Sequence, residues 1–102
     1  MTNYAASKHA VAGLTKSAAL EVAGTGVRVN VVAPGPVETP LLNRFVGTDE
    51  RKAGLALTAP LGRIGRAEEI AHTIAFLASD EASFITGASY PVDGGKTARY
   101  RH

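Results

Sequence analysis

Cysteine is absent from this 102-residue chain. Its absence excludes disulfides, thiolate nucleophiles and cysteine-ligated zinc, and it fits a cytoplasmic protein. No apolar run in the sequence approaches the roughly 20 residues of a membrane span, and no stretch pairs a charged start with the apolar centre of a secretory signal. His9, His72 and His102 lie far apart without a second ligand at metal spacing, so no metal site is expected. A strongly basic face is missing too. Of the 11 Lys and Arg, three (Lys96, Arg99 and Arg101) stand near the end, and the rest roughly balance the 9 acidic residues. Without a basic surface interleaved with aromatics, nucleic acid is not an expected partner. Residues 96–102 read as a basic, frayed tail.

What remains is an ordinary globular composition, 45% hydrophobic and 20% charged, with length for one domain at most. Residues 4–23 read as a helix free of proline. Ala6, Ala10, Gly13, Leu14 and Ser17 share one side, and Val11, Ala18 and Val22 another. A helix apolar most of the way round is expected to be buried between neighbours. Gly24-Thr25-Gly26 supplies a left-handed stop. Val27 to Ala33 is a β-branched run that reads as a buried, parallel-type strand ended by Pro34-Gly35-Pro36. Residues 36–65 are the least regular, with one short helix expected over Asp49 to Leu57. Glu68 to Ala78 reads as a clearer helix. Ala88 to Val92 reads as a final strand, at a sheet edge because of Pro91, and Asp93-Gly94-Gly95 as a turn.

The inventory is thus α/β, with two strands and about three helices. Two strands are a marginal sheet and cannot cover the apolar faces of three helices. The sequence therefore reads as incomplete as a domain, with further strands lying elsewhere.

Tyr4-Ala5-Ala6-Ser7-Lys8 puts a tyrosine and a lysine four apart, on one helix face about one turn apart. A free phenol titrates near 10 and is a poor base at neutral pH. A neighbouring ammonium stabilises the phenolate and lowers that value. The phenol can then give a proton to a carbonyl oxygen or take one from an alcohol, the acid/base half of a hydride transfer. The ammonium keeps further donors for a ribose hydroxyl. Alone, Tyr-x-x-x-Lys is weak, since an ordinary helix carries the pair by chance.

Context strengthens it. A helix of small residues follows the pair. Then come Val27-Arg28-Val29-Asn30-Val31-Val32-Ala33-Pro34-Gly35, next Pro36-Val37-Glu38-Thr39, and finally Gly87-Ala88-Ser89-Tyr90-Pro91-Val92-Asp93-Gly94-Gly95. In this order they closely resemble the short-chain dehydrogenase/reductase family, from about Thr2 to Gly95. The resemblance implies the carboxy-terminal portion of a Rossmann-like, doubly wound parallel sheet, with residues 1–95 as the carboxy-terminal half of the family domain. It implies an NAD(P)-dependent oxidoreductase interconverting an alcohol and a carbonyl in a small molecule. Tyr4 would be the catalytic acid/base. Lys8 would bind the nicotinamide ribose and lower the tyrosine pKa. Pro34 and Gly35 would shape the backbone beside the nicotinamide. Val37 would offer backbone groups to its carboxamide, and the Thr39 hydroxyl would contact the same group. Leu41 to Arg63 would be the substrate lid. The helix carrying the tyrosine would pack against its copy in a homo-oligomer of the full-length parent.

The family's glycine-rich strand-turn-helix, which cradles the pyrophosphate, does not occur in the sequence. Neither do the residue that selects NAD or NADP, the Asn-Asn-Ala-Gly stretch, the lysine-positioning asparagine or the catalytic serine. The choice between NAD and NADP is therefore not legible. Met1, just before the motif, suggests a truncated or fragmentary gene, and no turnover is expected from the chain alone. The competing reading is a non-catalytic interaction module that associates with intact family members through helix 4–23. A third is a remnant without function. Glu68-Glu69 reads as helix-dipole and solubility charge. Asn30 reads as a hydrogen-bonding partner of a loop, and the Asp93 turn as free of chemistry.

Overall fold

The computed structural model describes the backbone of residues 2–100 and the side chains of residues 6–44 and 47–98. The chain divides into two compact units, Met1–Val31 with Phe76–Tyr90, and Val32–Ala75 with Pro91–His102.

In the first unit, α1 spans Thr2–Val22. Its inward stripe runs Lys8, Ala12, Thr15, Ala19 and Val22, three or four residues apart, with Thr15 and Ala19 buried. The Thr15 hydroxyl donates to the Val11 carbonyl at 2.8 Å, so the buried oxygen is satisfied. The other faces depart from the expectation of all-round burial. Val11 is 48% exposed, Leu14 70% and Leu20 81%, because within this unit only the Thr15–Ala19 stripe meets neighbours among the described residues. The glycine stop is as the sequence implies. A 3-10 turn over Ala23–Thr25 ends at Gly26, left-handed at φ 85°.

A strand over Val27 to Ala33 is only partly formed. β1 is Val31–Pro34, and it pairs with β4, Ser89–Val92. The preceding residues spend their polar groups on side-chain bonds instead. Arg28 donates to the carbonyls of Ile85 (3.1 Å) and Ser79 (3.2 Å), and the Val29 N–H donates to Thr86 Oγ1 at 3.0 Å. Asn30 donates to the Ile85 carbonyl and accepts from the Ala88 N–H, both at 3.0 Å, the structural role its sequence position suggests. The Gly87 N–H meets the Val29 carbonyl and the Val31 N–H meets the Ala88 carbonyl, the two strands advancing together in the parallel sense. Ala82, fully buried, and Leu77 complete the small core of this unit.

The second unit holds more structure than the irregular stretch suggests. β2 is Val37–Glu38 and β3 is Gly65–Arg66, paired in parallel with Val37 opposite Gly65. Between them lie α2, Pro40–Val46, and α3, Asp49–Ala56. Each starts on a threonine whose hydroxyl accepts an orphan N–H: Thr39 from Leu42 (3.1 Å) and Thr48 from Arg51 (3.2 Å). Pro40 at the first helical position and left-handed Gly47 bracket α2. α4 follows over Ala67–Ala78, with Glu69 reaching back to the Arg66 N–H at 2.8 Å, one half of a capping box. The fold class is therefore α/β with parallel pairing. It has four α-helices rather than three and four short strands rather than two among the described residues. Lys96–Tyr100, the start of the segment read as a frayed tail, is a 3-10 helix, because Asp93 ties it at Thr97.

Candidate active site

Tyr4 and Lys8 both stand on α1 in the first unit, and a four-residue separation places them on one face. Lys8 is half-buried at the head of the inward stripe. The Tyr4 side chain lies outside the described residues. Pro34, Gly35, Val37 and Thr39 stand together in the second unit, on the segment that leaves β1 and enters α2.

Gly35 is fixed by closeness. Its N–H donates to the Val92 carbonyl at 3.0 Å. A Cβ there would lie 2.8 Å from Asp93 Cβ and 2.9 Å from Asp93 Cα, so no side chain fits without displacement. The Pro36 carbonyl accepts the Gly65 N–H at 3.0 Å. In a parallel ladder this alternation turns the N–H and C=O of Val37 away from β3, towards the other side of the strand. Thr39 uses a hydroxyl lone pair to cap α2, which leaves its own proton as a donor. The segment thus offers, in order, a side-chain-free backbone, an outward-turned peptide and a hydroxyl donor. This donor and acceptor set fits the carboxamide of a nicotinamide.

Sequence reasoning passed over two features beside this segment. Asp93 accepts from the Gly95 N–H (3.0 Å), the Thr97 N–H (3.2 Å) and the Thr97 hydroxyl (2.8 Å). Arg63 grips Glu69 with both guanidinium arms, at 2.9 and 2.8 Å. That pairing, helped by the Arg66 N–H, holds the Glu69 carboxyl down to about 2. For Glu69 a signal was present for the Arg66 N–H bond alone, since Glu69 stands three residues after Arg66, the capping-box spacing. For Asp93 the Asp-Gly-Gly run signals a turn but not what the turn touches. A cavity of about 640 Å³ opens within this unit, its walls including Pro36, Leu55, Leu61, Ile70, Val92 and the Arg63–Glu69 pair. Among the described residues, no group of three or more His, Asp or Glu is placed to hold a metal ion, and no helix is long and apolar enough to cross a membrane.

The family model described as enoyl-(acyl carrier protein) reductase matches residues 1–97. The cyclohexanol dehydrogenase of Acinetobacter sp. is 48% identical over 99 residues, covering 97% of this chain and 38% of its own length. The 3-oxoacyl-[acyl-carrier-protein] reductase FabG of Haemophilus influenzae is 52% identical over 94 residues, with coverages of 92% and 38%. Among solved structures, a short chain dehydrogenase family protein from Francisella tularensis superposes with a TM-score of 0.82 at 42% identity, over 93% of this chain and 43% of that one. ElxO with NADP bound gives 0.83 at 38% identity, over 93% and 39%. The chain thus spans 38% of the length of these two curated relatives.

Proposed function

The chain belongs to the short-chain dehydrogenase/reductase family, a family of oxidoreductases, and from that membership we propose that it carries the proton-transfer half of an NAD(P)-dependent alcohol/carbonyl interconversion. Residues 1–95 are then the carboxy-terminal part of the family domain. The observation that carries the reading is the placement of Tyr4 and Lys8 four apart on α1.

In this reading the Tyr4 phenol protonates the carbonyl oxygen during reduction and takes the alcohol proton during oxidation. The Lys8 ammonium would favour the phenolate form and would donate to the nicotinamide ribose. Pro34 and Gly35 would let the backbone approach the ring, Val37 would offer its outward peptide to the carboxamide, and the Thr39 hydroxyl would contact the same group. Hydride transfer is the chemistry that a nicotinamide held by these residues would supply. The apolar cavity walls at Pro36, Leu55, Leu61 and Ile70 favour a substrate with an apolar body, in keeping with the cyclohexanol and 3-oxoacyl names of two relatives. Either NAD or NADP is compatible with these residues. A cytoplasmic setting is favoured by the cysteine-free composition.

Calorimetric titration of the purified chain with NADH and NADPH tests this. The expected result is binding that Lys8→Ala weakens at least about tenfold, the scale of one charge-assisted hydrogen bond. Binding indifferent to Lys8→Ala, in a chain that remains folded, would remove the lysine from the site and the reading with it.

A second reading has one observation in its favour. Val11, Leu14 and Leu20 leave apolar faces of α1 exposed. They favour association of α1 with another protein surface, a copy of the chain or an intact family member, with or without turnover. Sedimentation of the chain across a concentration series, with Leu14→Glu as control, separates a self-associating chain from a monomer.

A further inference from the structure

The Asp93 turn touches two segments that the sequence treats as independent. On one side lies the Pro34–Thr39 segment. The Gly35 α-carbon packs so closely on Asp93 that an added Cβ would stand 2.8 Å from Asp93 Cβ. On the other side lies the returning limb of the lid. The Leu61 N–H donates to the Gly94 carbonyl at 3.0 Å. A Cβ on Gly94 would meet Ala59 Cβ at 3.0 Å, and one on Gly95 would meet Pro60 Cγ at 3.2 Å. Both glycines are left-handed, at φ 66° and 93°.

Two successive glycines make an intrinsically loose turn, since each has more backbone freedom to lose than any other residue. A loose turn could not hold two neighbours in register. The Asp93 carboxylate removes that freedom. One oxygen accepts from the Gly95 N–H, and the other from the N–H and hydroxyl of Thr97, so the chain is tied down on both sides of Gly94 and Gly95. Bonds to an ionised acceptor are stronger than neutral ones.

We infer that Asp93 is a positioning residue, whose carboxylate sets the turn that holds the Pro34–Thr39 segment and the Ala59–Leu61 limb of the lid in register with each other. The inference rests on the nicotinamide reading of Pro34–Thr39 for its catalytic meaning. Its mechanical content stands apart from that reading. Movement of the lid limb is passed through the Gly94 carbonyl to the turn, and through the Asp93 backbone to Gly35.

Amide hydrogen exchange, read by NMR on the whole chain, tests the coupling. Asp93→Ala is expected to speed exchange of Gly95 and Thr97 and also of Leu61 and Gly35, each at least about tenfold, with α4 amides such as Thr73 unchanged. Asp93→Asn keeps one acceptor oxygen and is expected to recover Gly95 and Leu61. Thr97→Val removes a single bond and is expected to speed Leu61 about threefold, which keeps the test available if Asp93→Ala does not fold. Wild-type exchange at Leu61 and Gly35 while Gly95 and Thr97 speed up would reduce Asp93 to a cap of its own turn and overturn the inference. Loss of protection spread evenly through α4 would overturn it as well, because Asp93 would then support the unit as a whole. Reduced nicotinamide mononucleotide added to the wild-type chain tests the other half separately. Shifts of the Val37 and Thr39 amides support the cofactor role. No shift, with the exchange pattern intact, overturns the nicotinamide reading and not the coupling.

Discussion

The two units place their candidate site residues by different physics. In the first, Tyr4 and Lys8 are set by the period of one helix, a local property that needs no other part of the chain. In the second, Pro34, Gly35, Val37 and Thr39 are set by close approach to residues distant in sequence. Gly35 lies against Asp93, Val37 pairs opposite Gly65, and Leu61 bonds to Gly94. Glycine exposes the contrast best. Gly13 on α1 has, among the described residues and apart from the adjacent backbone of its own helix, no atom within 4 Å of where a Cβ would stand, whereas Gly35 has Asp93 at 2.8 Å.

The largest effect expected from breaking that contrast is at Gly35. Gly35→Ala forces Asp93 aside and should destabilise the second unit by about 1–3 kcal/mol, the range for overpacking. Urea unfolding followed by probes in each unit measures it. A neutral result would mean that the turn yields freely and that closeness does not fix the segment.

The next effect is at Asn30, where the first unit borrows the second unit's strategy. Asn30→Ala leaves the Ile85 carbonyl with Arg28 as its remaining side-chain donor and the Ala88 N–H without its acceptor. A cost of about 1–3 kcal/mol is expected, since unsatisfied part-buried groups lose their desolvation free energy. Asn30→Asp, which keeps the acceptor and loses the donor, should fall between the two. Equal stability of all three chains would show that water replaces the side chain.

A smaller effect of opposite sign is expected at Gly13. In a helix interior with open space around it, Gly13→Ala should stabilise the chain by about 0.5–1 kcal/mol, mainly by restricting the unfolded backbone. If Gly13→Ala and Gly35→Ala moved stability alike, the distinction between local and long-range placement would fail.

This distinction also explains what the sequence discloses. The helix carrying Tyr4 and Lys8, its Gly-Thr-Gly stop and the helix after Glu68 are local patterns, and the structure has them within a residue or two. α2 was legible in principle, because Thr39-Pro40 is a helix start, but the family resemblance directs attention to Thr39 as a nicotinamide contact and not as a cap. The β2–β3 pair was not legible. Two-residue strands carry no periodicity, and their partner is set by the path of the whole segment between them, residues 39–64. The strand at Val27 was over-read for a related reason, since β-branched residues fit a ladder but Arg28 and Asn30 bind the 79–88 connector through side chains. All-round apolarity of α1 states what the helix is able to bury. The described residues supply partners for one stripe.

The smallest effect concerns pH and separates the ion-paired clasp of the second unit from the Asn30 bonds of the first, which include no carboxylate. The Arg63 guanidinium, and after it the Arg66 N–H, hold the Glu69 carboxyl at about 2, below its ordinary 4.5. The folded chain therefore binds the Glu69 proton less readily than the unfolded chain does. The clasp contributes fully above about pH 4.5, and its contribution is lost as pH falls through about 2. Glu69 is solvent-accessible, so screening keeps the effect modest, and added salt should shrink it further. Glu69→Gln keeps an acceptor for the Arg66 N–H but removes the titration. Its urea midpoint should therefore vary less than wild type between about pH 5 and pH 2, with the difference narrowing in high salt. Asn30→Ala should shift the midpoint by the same amount across that range, because no proton is bound or released there. A Glu69→Gln chain with the wild-type acid profile would mean that Arg63 and Glu69 are apart in solution, and that α4 starts without the clasp.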